Sequence, residues 1–212
     1  IQTQLFLPGA VARLRRIWDR GTPWVHTVQY HNYGSLRLGR IRKWLDHRWI
    51  FSGADTVVAA GGAVADSLPE LGTVRVIPNA IDLTRAEPSL APRSGPPVVG
   101  TVAMLRPEKG LKLLIDAAAV LRDRVPGVKV RIAGDGPLRA ELEQLIRAGS
   151  LDNVVELCGY VSDCEEFYRS LHVYVQPSDN EPFGIAALEA FRFRIPLVMT
   201  NAGFLPTLLG NG

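Results

Sequence analysis

The chain has 212 residues, of which 47% are hydrophobic and 21% charged, and its formal net charge is +3. This composition is typical of a soluble globular protein, and no apolar run reaches the length of a membrane-spanning helix. Residues 1–50 hold nine Arg and Lys against two Asp, or +7, which leaves −4 for residues 51–212. A basic first part favours an anionic partner, including an anionic membrane surface. Nucleic acid is not expected, because no nucleic-acid-binding motif accompanies this charge.

The cysteines and histidines form no recognisable metal or disulfide pattern. Cys158 and Cys164 are the only cysteines, they do not form C-x-x-C, and the four His lack ligand spacing. We therefore predict neither a metal nor any other cofactor. Isolated cysteines favour a reducing compartment, so a cytoplasmic location is expected. The chain begins with Ile and shows no signal peptide, and we interpret it as a fragment.

The first part of the chain, residues 1–82, is predicted to be an incomplete α/β domain. Residues 1–18 indicate a short apolar turn followed by a basic helix. A second basic helix is amphipathic, with Trp44 and Trp49 near its apolar face, and packing on its own sheet is favoured over a membrane surface. Three strands are rich in β-branched residues and bounded by turn residues. The strands are predicted at 24–29, 55–60 and 73–77, and the helices at 35–51 and 63–68.

The second part begins after residues 83–97, which are rich in Pro, Ser and Gly and are interpreted as a linker. In residues 98–212 strands alternate with helices, which predicts a parallel, doubly wound sheet. No G-x-G-x-x-G or Walker A motif is present. Strands are predicted at 98–103, 128–133, 154–157, 172–176 and 196–200, and helices at 109–124, 138–148, 164–170 and after Glu181. The helix at 109–124 is predicted to turn Leu113, Leu114, Ala117, Ala118 and Leu121 inward.

Two glutamates, Glu181 and Glu189, are separated by seven residues that include Pro182 and Gly184. Pro182 disfavours helical geometry at Glu181, which is therefore expected on an extended loop at a strand end. Gly184 lets the backbone approach a ligand, and the helix that follows directs N–H groups toward the same place. Carboxylates accept from hydroxyls and helix N-termini bind phosphate, so a ligand with both groups would fit. The alternative is a surface loop with two solvated Glu.

This stretch, EPFGIAALEA, resembles the E-x7-E segment of retaining glycosyltransferases of family four, with matches at Glu181, Phe183, Gly184 and Glu189. Members of that family have the GT-B fold of two facing Rossmann-like domains. Their first Glu contacts the donor sugar and their second holds the ribose hydroxyls. The resemblance implies a partial acceptor-side domain at 1–82 and a donor domain at 98–212 that lacks its last helices, so the chain is expected to be truncated at both ends.

A second segment, LRPEKG, resembles the family's G-R-L-x-x-E-K-G segment. Lys109 matches it directly, whereas the family's Arg falls on Met104, and Arg106 stands two residues later. A diphosphate leaving group gains negative charge as the glycosidic bond breaks, and fixed cations stabilise it. The resemblance implies this role for Lys109, with Arg106 as a substitute for the missing Arg. The alternative is a solvated pair of cations on a loop.

The remaining matches are shorter. Gly134 to Pro137 reads as the family's G-D-G-P turn, Gly159 to Val161 resembles the segment beside the nucleotide base, and His31 to Tyr33 resembles an H-N-Y segment near the reacting sugar. Each has a structural alternative: a tight turn, strand-end packing, or a loop His. The donor-binding residues that the resemblance implies are Gly134, Gly136, Tyr160, Val161, Phe183, Gly184, Ile185, Glu189 and Gly203. The implied catalytic residues are His31, Arg106, Lys109 and Glu181.

The resemblance implies a retaining glycosyltransferase that moves a sugar from a nucleotide diphosphate sugar to a glycan, lipid or small-molecule acceptor. It would work in the cytoplasm, with a peripheral contact at the inner face of the membrane as a further expectation. A non-catalytic nucleotide-sugar-binding remnant is one alternative, favoured by Met104 and by Phe204, which stands where Gly is frequent. A GT-B-type nucleotide-sugar epimerase is another. The sugar, the base and the acceptor are not indicated by the sequence.

Overall fold

The computed structural model describes residues 2–4, 6–29, 44–66, 68, 74–82, 94–203 and 205. The chain divides into two compact units, Ile1–Asn79 and Ala80–Gly212. Each unit contains one sheet, and every described strand pair is parallel. The α/β class predicted from the sequence is therefore confirmed. Most of the predicted linker at 83–97 lies outside the described residues.

The first unit has a four-stranded sheet in the order β1-β2-β3-β4. The first strand is a correction to the predicted turn: it is short and polar, and only Thr3 among its residues is buried. It forms because its backbone pairs with β2. The elements are β1 (Gln2–Gln4), α1 (Phe6–Arg15), β2 (Val25–Val28), β3 (Thr56–Ala59), α2 (Gly62–Asp66) and β4 (Val74–Val76).

A buried polar chain crosses the core of this sheet. The indole Nε1 of Trp24 donates to Oγ1 of Thr3 at 2.8 Å, and Oγ1 of Thr3 lies 2.8 Å from Nδ1 of His26. Because the hydroxyl accepts from Trp24, its own proton is available to a neutral His26. Burial lowers the pKa of His26 to about 4, which keeps the ring neutral at physiological pH.

The predicted helix at 35–51 is described only from Trp44 onward. Its end widens into a π-helical turn (Asp46–Ile50) and then tightens into a 3₁₀ turn (Phe51–Gly53). Ile50 and Phe51 are buried in the core of the first unit, whereas Trp44 is 61% exposed. The described end of the helix therefore packs on its own unit. No helix among the described residues is long and apolar enough to cross a membrane.

The second unit has a five-stranded sheet in the order β7-β6-β5-β8-β9. Adjacent residues of one strand join different hydrophobic clusters, as Ile132 and Ala133 do, so both faces of the sheet are covered. The strands are β5 (Val98–Val102), β6 (Lys129–Ala133), β7 (Val155–Gly159), β8 (Val173–Gln176) and β9 (Leu197–Met199). The helices are α3 (Leu111–Arg124), α4 (Arg139–Ala148), α5 (Cys164–Ser170) and α6 (Ile185–Arg192).

The strand order reverses between β5 and β8. The chain proceeds from β5 through β6 to β7 on one side, then crosses to place β8 and β9 on the other side of β5. At such a switch point the loops after the two central strands diverge and leave a crevice at their carboxyl ends. The loops after β5 and β8 contain Lys109 and Glu181, so the topology directs both toward this edge.

The inward face of α3 differs from the prediction. Leu114 and Ala118 are buried as predicted, but Leu113 and Ala117 are exposed, and Leu111 and Ile115 are buried instead. The helix starts two residues later than predicted. A 3₁₀ turn (Pro107–Lys109) and a left-handed Gly110, at φ 63°, precede it. The predicted buried face of α3 therefore included residues that lie on the solvent side of the helix.

Candidate active site

Three loops interlock at the carboxyl edge of the second sheet. Gly110 and Gly203 both have positive φ, where a side chain is strained. A Cβ on Gly110 would lie 1.8 Å from the carbonyl oxygen of Pro177, and one on Gly203 would lie 1.7 Å from that of Glu181. Only glycine permits this approach, so the loops after β5 and β9 both press against the loop after β8.

An ion pair lies where these loops meet. The ammonium of Lys109 donates to Oε2 of Glu181 at 2.7 Å, and the hydroxyl of Ser178 donates to the same oxygen at 3.4 Å. The Lys109 and Glu181 side chains are 23% and 12% exposed. The structure thus brings together two predicted catalytic residues that are 72 positions apart. Ser178, which is almost fully buried, was not predicted.

The second glutamate lies on α6, as predicted. Gly184, at φ 93°, is the residue before this helix, which begins at Ile185. The phenol of Tyr168 on α5 donates to Oε2 of Glu189 at 2.8 Å. Tyr168 was also missed by the sequence analysis, because nothing in its own segment indicates which helix it faces. Ile185 is 44% exposed at the start of α6.

The turn at Gly134 and Gly136 supports the loop after β5. A Cβ on Gly134 would lie 2.0 Å from the carbonyl oxygen of Ala103, and one on Gly136 would lie 2.7 Å from that of Leu105. The backbone N–H of Leu105 donates to the carbonyl of Asp135 at 3.0 Å. These glycines therefore set the path of the chain that leads to Lys109, whatever ligand contacts they make.

Three other predicted residues differ in exposure. Tyr160, just after β7, is 85% exposed, and Val161 beside it is half-buried. A ring so open can stack on a planar ligand. The ring of Phe183, by contrast, is buried, and its donor contact stays a prediction.

Arg106 does not join the Lys109–Glu181 pair. Its guanidinium lies 4.0 Å from Oε1 of Glu108, and its side chain is 52% exposed. The carbonyl of Glu108 in turn accepts from the backbone N–H of Asp179 at 3.0 Å, which ties the loops after β5 and β8 together. His31 and Phe204 lie outside the described residues. Among the residues that are described, no group of three or more His, Cys, Asp or Glu is placed to hold a metal.

Two family models match parts of the chain. Residues 84–212 match the family model of glycosyl transferases group 1. The chain belongs to this family. Residues 1–80 match a second model, the glycosyl transferase 4-like domain, so both units of this group 1 chain match glycosyl transferase domains.

Individual relatives agree with the family. The group 1 chain is 32% identical over 173 residues to glycogen synthase of Mycobacterium tuberculosis, covering 77% of this chain and 42% of the relative. It is 38% identical over 120 residues to alpha-D-kanosaminyltransferase of Streptomyces kanamyceticus, covering 55% of this chain and 31% of the relative. The chain thus spans less than half the length of either relative.

The fold likeness extends over both units. The crystal structure of HepE from Anabaena, in complex with UDP and glucose, superposes with a TM-score of 0.84. The alignment covers 97% of this chain and 60% of HepE at 24% identity. This likeness confirms the predicted GT-B fold.

Proposed function

We propose that the protein is a retaining glycosyltransferase that transfers a sugar from a nucleoside diphosphate sugar to an acceptor hydroxyl. The observation that carries the proposal is the Lys109–Glu181 pair at the switch point of the second sheet, with Glu189 on the helix that follows Glu181 in the chain. The group 1 family supports the transferase class. A donor-binding role for the second unit is part of the same proposal.

Lys109 has the donors to serve two acceptors. The Lys109 ammonium has three N–H bonds, and one of them donates to Glu181 in the part of the chain that the structure describes. The others are available to the diphosphate of the donor. Lys109 would then stabilise the charge of the leaving group while it fixes the Glu181 carboxylate toward the sugar hydroxyls. The start of α6 adds backbone N–H groups near the same place.

In the proposed reaction, the bond between the anomeric carbon and the diphosphate oxygen breaks. The acceptor oxygen bonds to the same face of the sugar, which retains the configuration, and the acceptor proton passes to the departing phosphate oxygen. No protein nucleophile is needed in this scheme. Lys109 and Glu181 act by charge and position, whereas the role implied for His31 stays a prediction.

Calorimetric titration tests the donor site. UDP is the first nucleotide to use, because HepE was crystallised with it, and GDP and ADP are the comparison. Replacing Lys109 by Ala should weaken binding of the preferred diphosphate by about 1.5–3 kcal/mol, the range for charged hydrogen bonds. Lys112→Ala is the matched control, since Lys112 lies on the solvent side of α3 and its ammonium pairs with Glu141 of α4. Unchanged affinity in Lys109→Ala would exclude Lys109 from the site.

The two glutamates should affect different ligands. Glu189→Ala should weaken UDP and UDP-glucose alike, whereas Glu181→Ala should weaken only the nucleotide sugar and turnover, each by about 1–3 kcal/mol. Glu166→Ala, on the exposed side of α5, is the control. Equal weakening of UDP by both variants would contradict the separate roles. No change in either variant while the fold persists would favour a non-catalytic remnant.

The first unit is proposed to contact an anionic membrane surface at the cytoplasmic side. At the end of α1, Trp18 is 84% and Ile17 is 62% exposed, beside Arg15 and Arg20. Exposed aromatic and apolar residues among cations are typical of such surfaces. The protein should co-sediment with phosphatidylglycerol vesicles at low salt and not with neutral ones, and Trp18→Ala should reduce this. Equal, salt-independent partitioning would exclude the contact.

A further inference from the structure

Tyr168 makes a contact that no sequence motif accounts for. Its phenol oxygen lies 2.8 Å from Oε2 of Glu189 and 3.0 Å from the carbonyl oxygen of Ala186. Both neighbours are acceptors, and the phenol has a single proton to donate. The carboxylate is charged, so the hydrogen bond to Glu189 is the stronger of the two. Tyr168 therefore holds one oxygen of the Glu189 carboxylate.

The aromatic core fixes the ring that carries this hydroxyl. Tyr168 is 1% exposed, stacks on Phe193 with ring centroids 5.6 Å apart, and packs against Tyr174 at 6.0 Å. Burial, together with nearby charge that includes Glu189, raises the pKa of Tyr168 well above its usual range. The hydroxyl thus stays protonated and can act only as a fixed donor to Glu189.

The other carboxylate oxygen of Glu189 is left for a ligand. Within the part of the chain that the structure describes, Oε1 of Glu189 accepts no hydrogen bond from protein. A carboxylate held through one oxygen presents the other in a single orientation, which suits a fixed pair of sugar hydroxyls. A site built to accept from a hydroxyl discriminates strongly against an analogue that lacks it.

We infer that Tyr168 is a positioning residue that orients Glu189 and thereby sets the preference for ribose over deoxyribose in the bound nucleotide. The inference rests on the proposed function, in which Glu189 holds the ribose. It goes further because it assigns the discrimination to a buried residue of α5 that does not contact the ligand. Removing this hydroxyl should therefore change selectivity for the sugar of the nucleotide more than the fold.

The test compares UDP with 2′,3′-dideoxy-UDP, which lacks both ribose hydroxyls, by calorimetry on the full chain. Tyr168→Phe retains the stacked ring and removes only the hydroxyl. It should reduce the preference for UDP by about five- to tenfold, less than the loss of a direct charged hydrogen bond, because Tyr168 acts on Glu189 and not on the ligand. Tyr174→Phe is the matched control, because Tyr174 is equally buried and its hydroxyl donates to the backbone carbonyl of Val102. Its preference should stay within about twofold of the unmodified protein.

The design separates failure of this inference from failure of the proposed function. Each preference is a ratio of two affinities measured on one protein. Partial unfolding of the sample affects both measurements alike and leaves the ratio unchanged. If Glu189→Gln abolishes the preference while Tyr168→Phe retains it, the positioning role is wrong and the ribose site stands. If Glu189→Gln retains the full preference, the ribose site itself is wrong and the inference is overturned with it.

A double variant adds a second criterion. If Tyr168 acts through Glu189, then Tyr168→Phe combined with Glu189→Gln should lose no more preference than Glu189→Gln alone. If the loss of preference in the double variant equals the product of the losses in the two single variants, the residues act independently and the inference is overturned. Thermal melting of each variant verifies that the fold persists.

Discussion

His26 links the core of the first unit to pH. Its folded pKa is about 4 because of burial, against about 6.5 in an unfolded chain. Nδ1 of the neutral ring is hydrogen-bonded to the hydroxyl of Thr3, and protonation would place a charge in this buried site. As the pH falls, His26 is therefore protonated in the unfolded chain at a higher pH than in the folded protein. The stability that His26 contributes is fully present above pH 6.5 and is lost as the pH falls toward 4.

We expect the free energy of unfolding of the first unit to fall by up to about 3 kcal/mol between pH 7 and pH 4 from this residue. Urea titrations followed by tryptophan fluorescence measure it, because all four Trp lie between residues 18 and 49. His26→Gln should be less stable at pH 7 and should lose most of this pH dependence. If the variant retains the full slope, other groups cause it.

At the level of residues, the sequence predicted those that belong to motifs and missed those brought by packing. Glu181 and Lys109 were identified from their segments, and the structure pairs them. Ser178 and Tyr168 reach the glutamates only through the fold of a loop and the packing of α5 on α6. Phe183 shows the converse, since a motif position is occupied by a buried ring.

At the level of elements, two glycines with similar backbone geometry have different surroundings. Gly110 and Gly95 both have positive φ, at 63° and 97°. A Cβ on Gly95 would meet nothing within 4 Å, whereas one on Gly110 would overlap the carbonyl of Pro177. Comparing Ala substitutions at Gly95 and Gly110 therefore distinguishes the effect of backbone strain from the effect of pushing two loops apart.

We predict that Gly95→Ala costs about 1–2 kcal/mol of stability, the strain of a left-handed residue, and leaves UDP affinity unchanged. Gly110→Ala should cost more and should weaken UDP binding, because the loop that carries Lys109 must move from the loop that carries Glu181. Urea denaturation by circular dichroism and calorimetry provide the two measurements. Equal effects of both substitutions would contradict a functional role of the interlocked loops.

The elements that the sequence predicted well are those with a strong local pattern. Runs of β-branched residues placed β5 and β6 within one residue at each end. The polar strand β1 was missed, because it forms only through pairing with β2. The start of α3 was set two residues too early, since the left-handed Gly110 depends on its contact with the next loop.

At the level of the whole molecule, alternating strands and helices predicted the fold class, and Glu181 was expected on a loop at the end of a strand. The strand order was not predicted, because the crossover from β7 to β8 depends on long-range packing. That order creates the switch point beside which Lys109 and Glu181 meet. The two units also have separate hydrophobic cores, and all four Trp belong to the first unit.

Because their cores are separate, the two units should respond differently to urea and to nucleotide. Tryptophan fluorescence follows only the first unit, whereas far-UV circular dichroism follows both, so their urea transitions should not coincide. UDP at a hundredfold excess over its dissociation constant should stabilise the second unit by about 2.7 kcal/mol. It should shift the dichroism transition and leave the fluorescence transition in place, and Lys112→Ala should behave the same way. If both transitions coincide and move together with UDP, the two units unfold as one and the nucleotide does not act on the second unit alone.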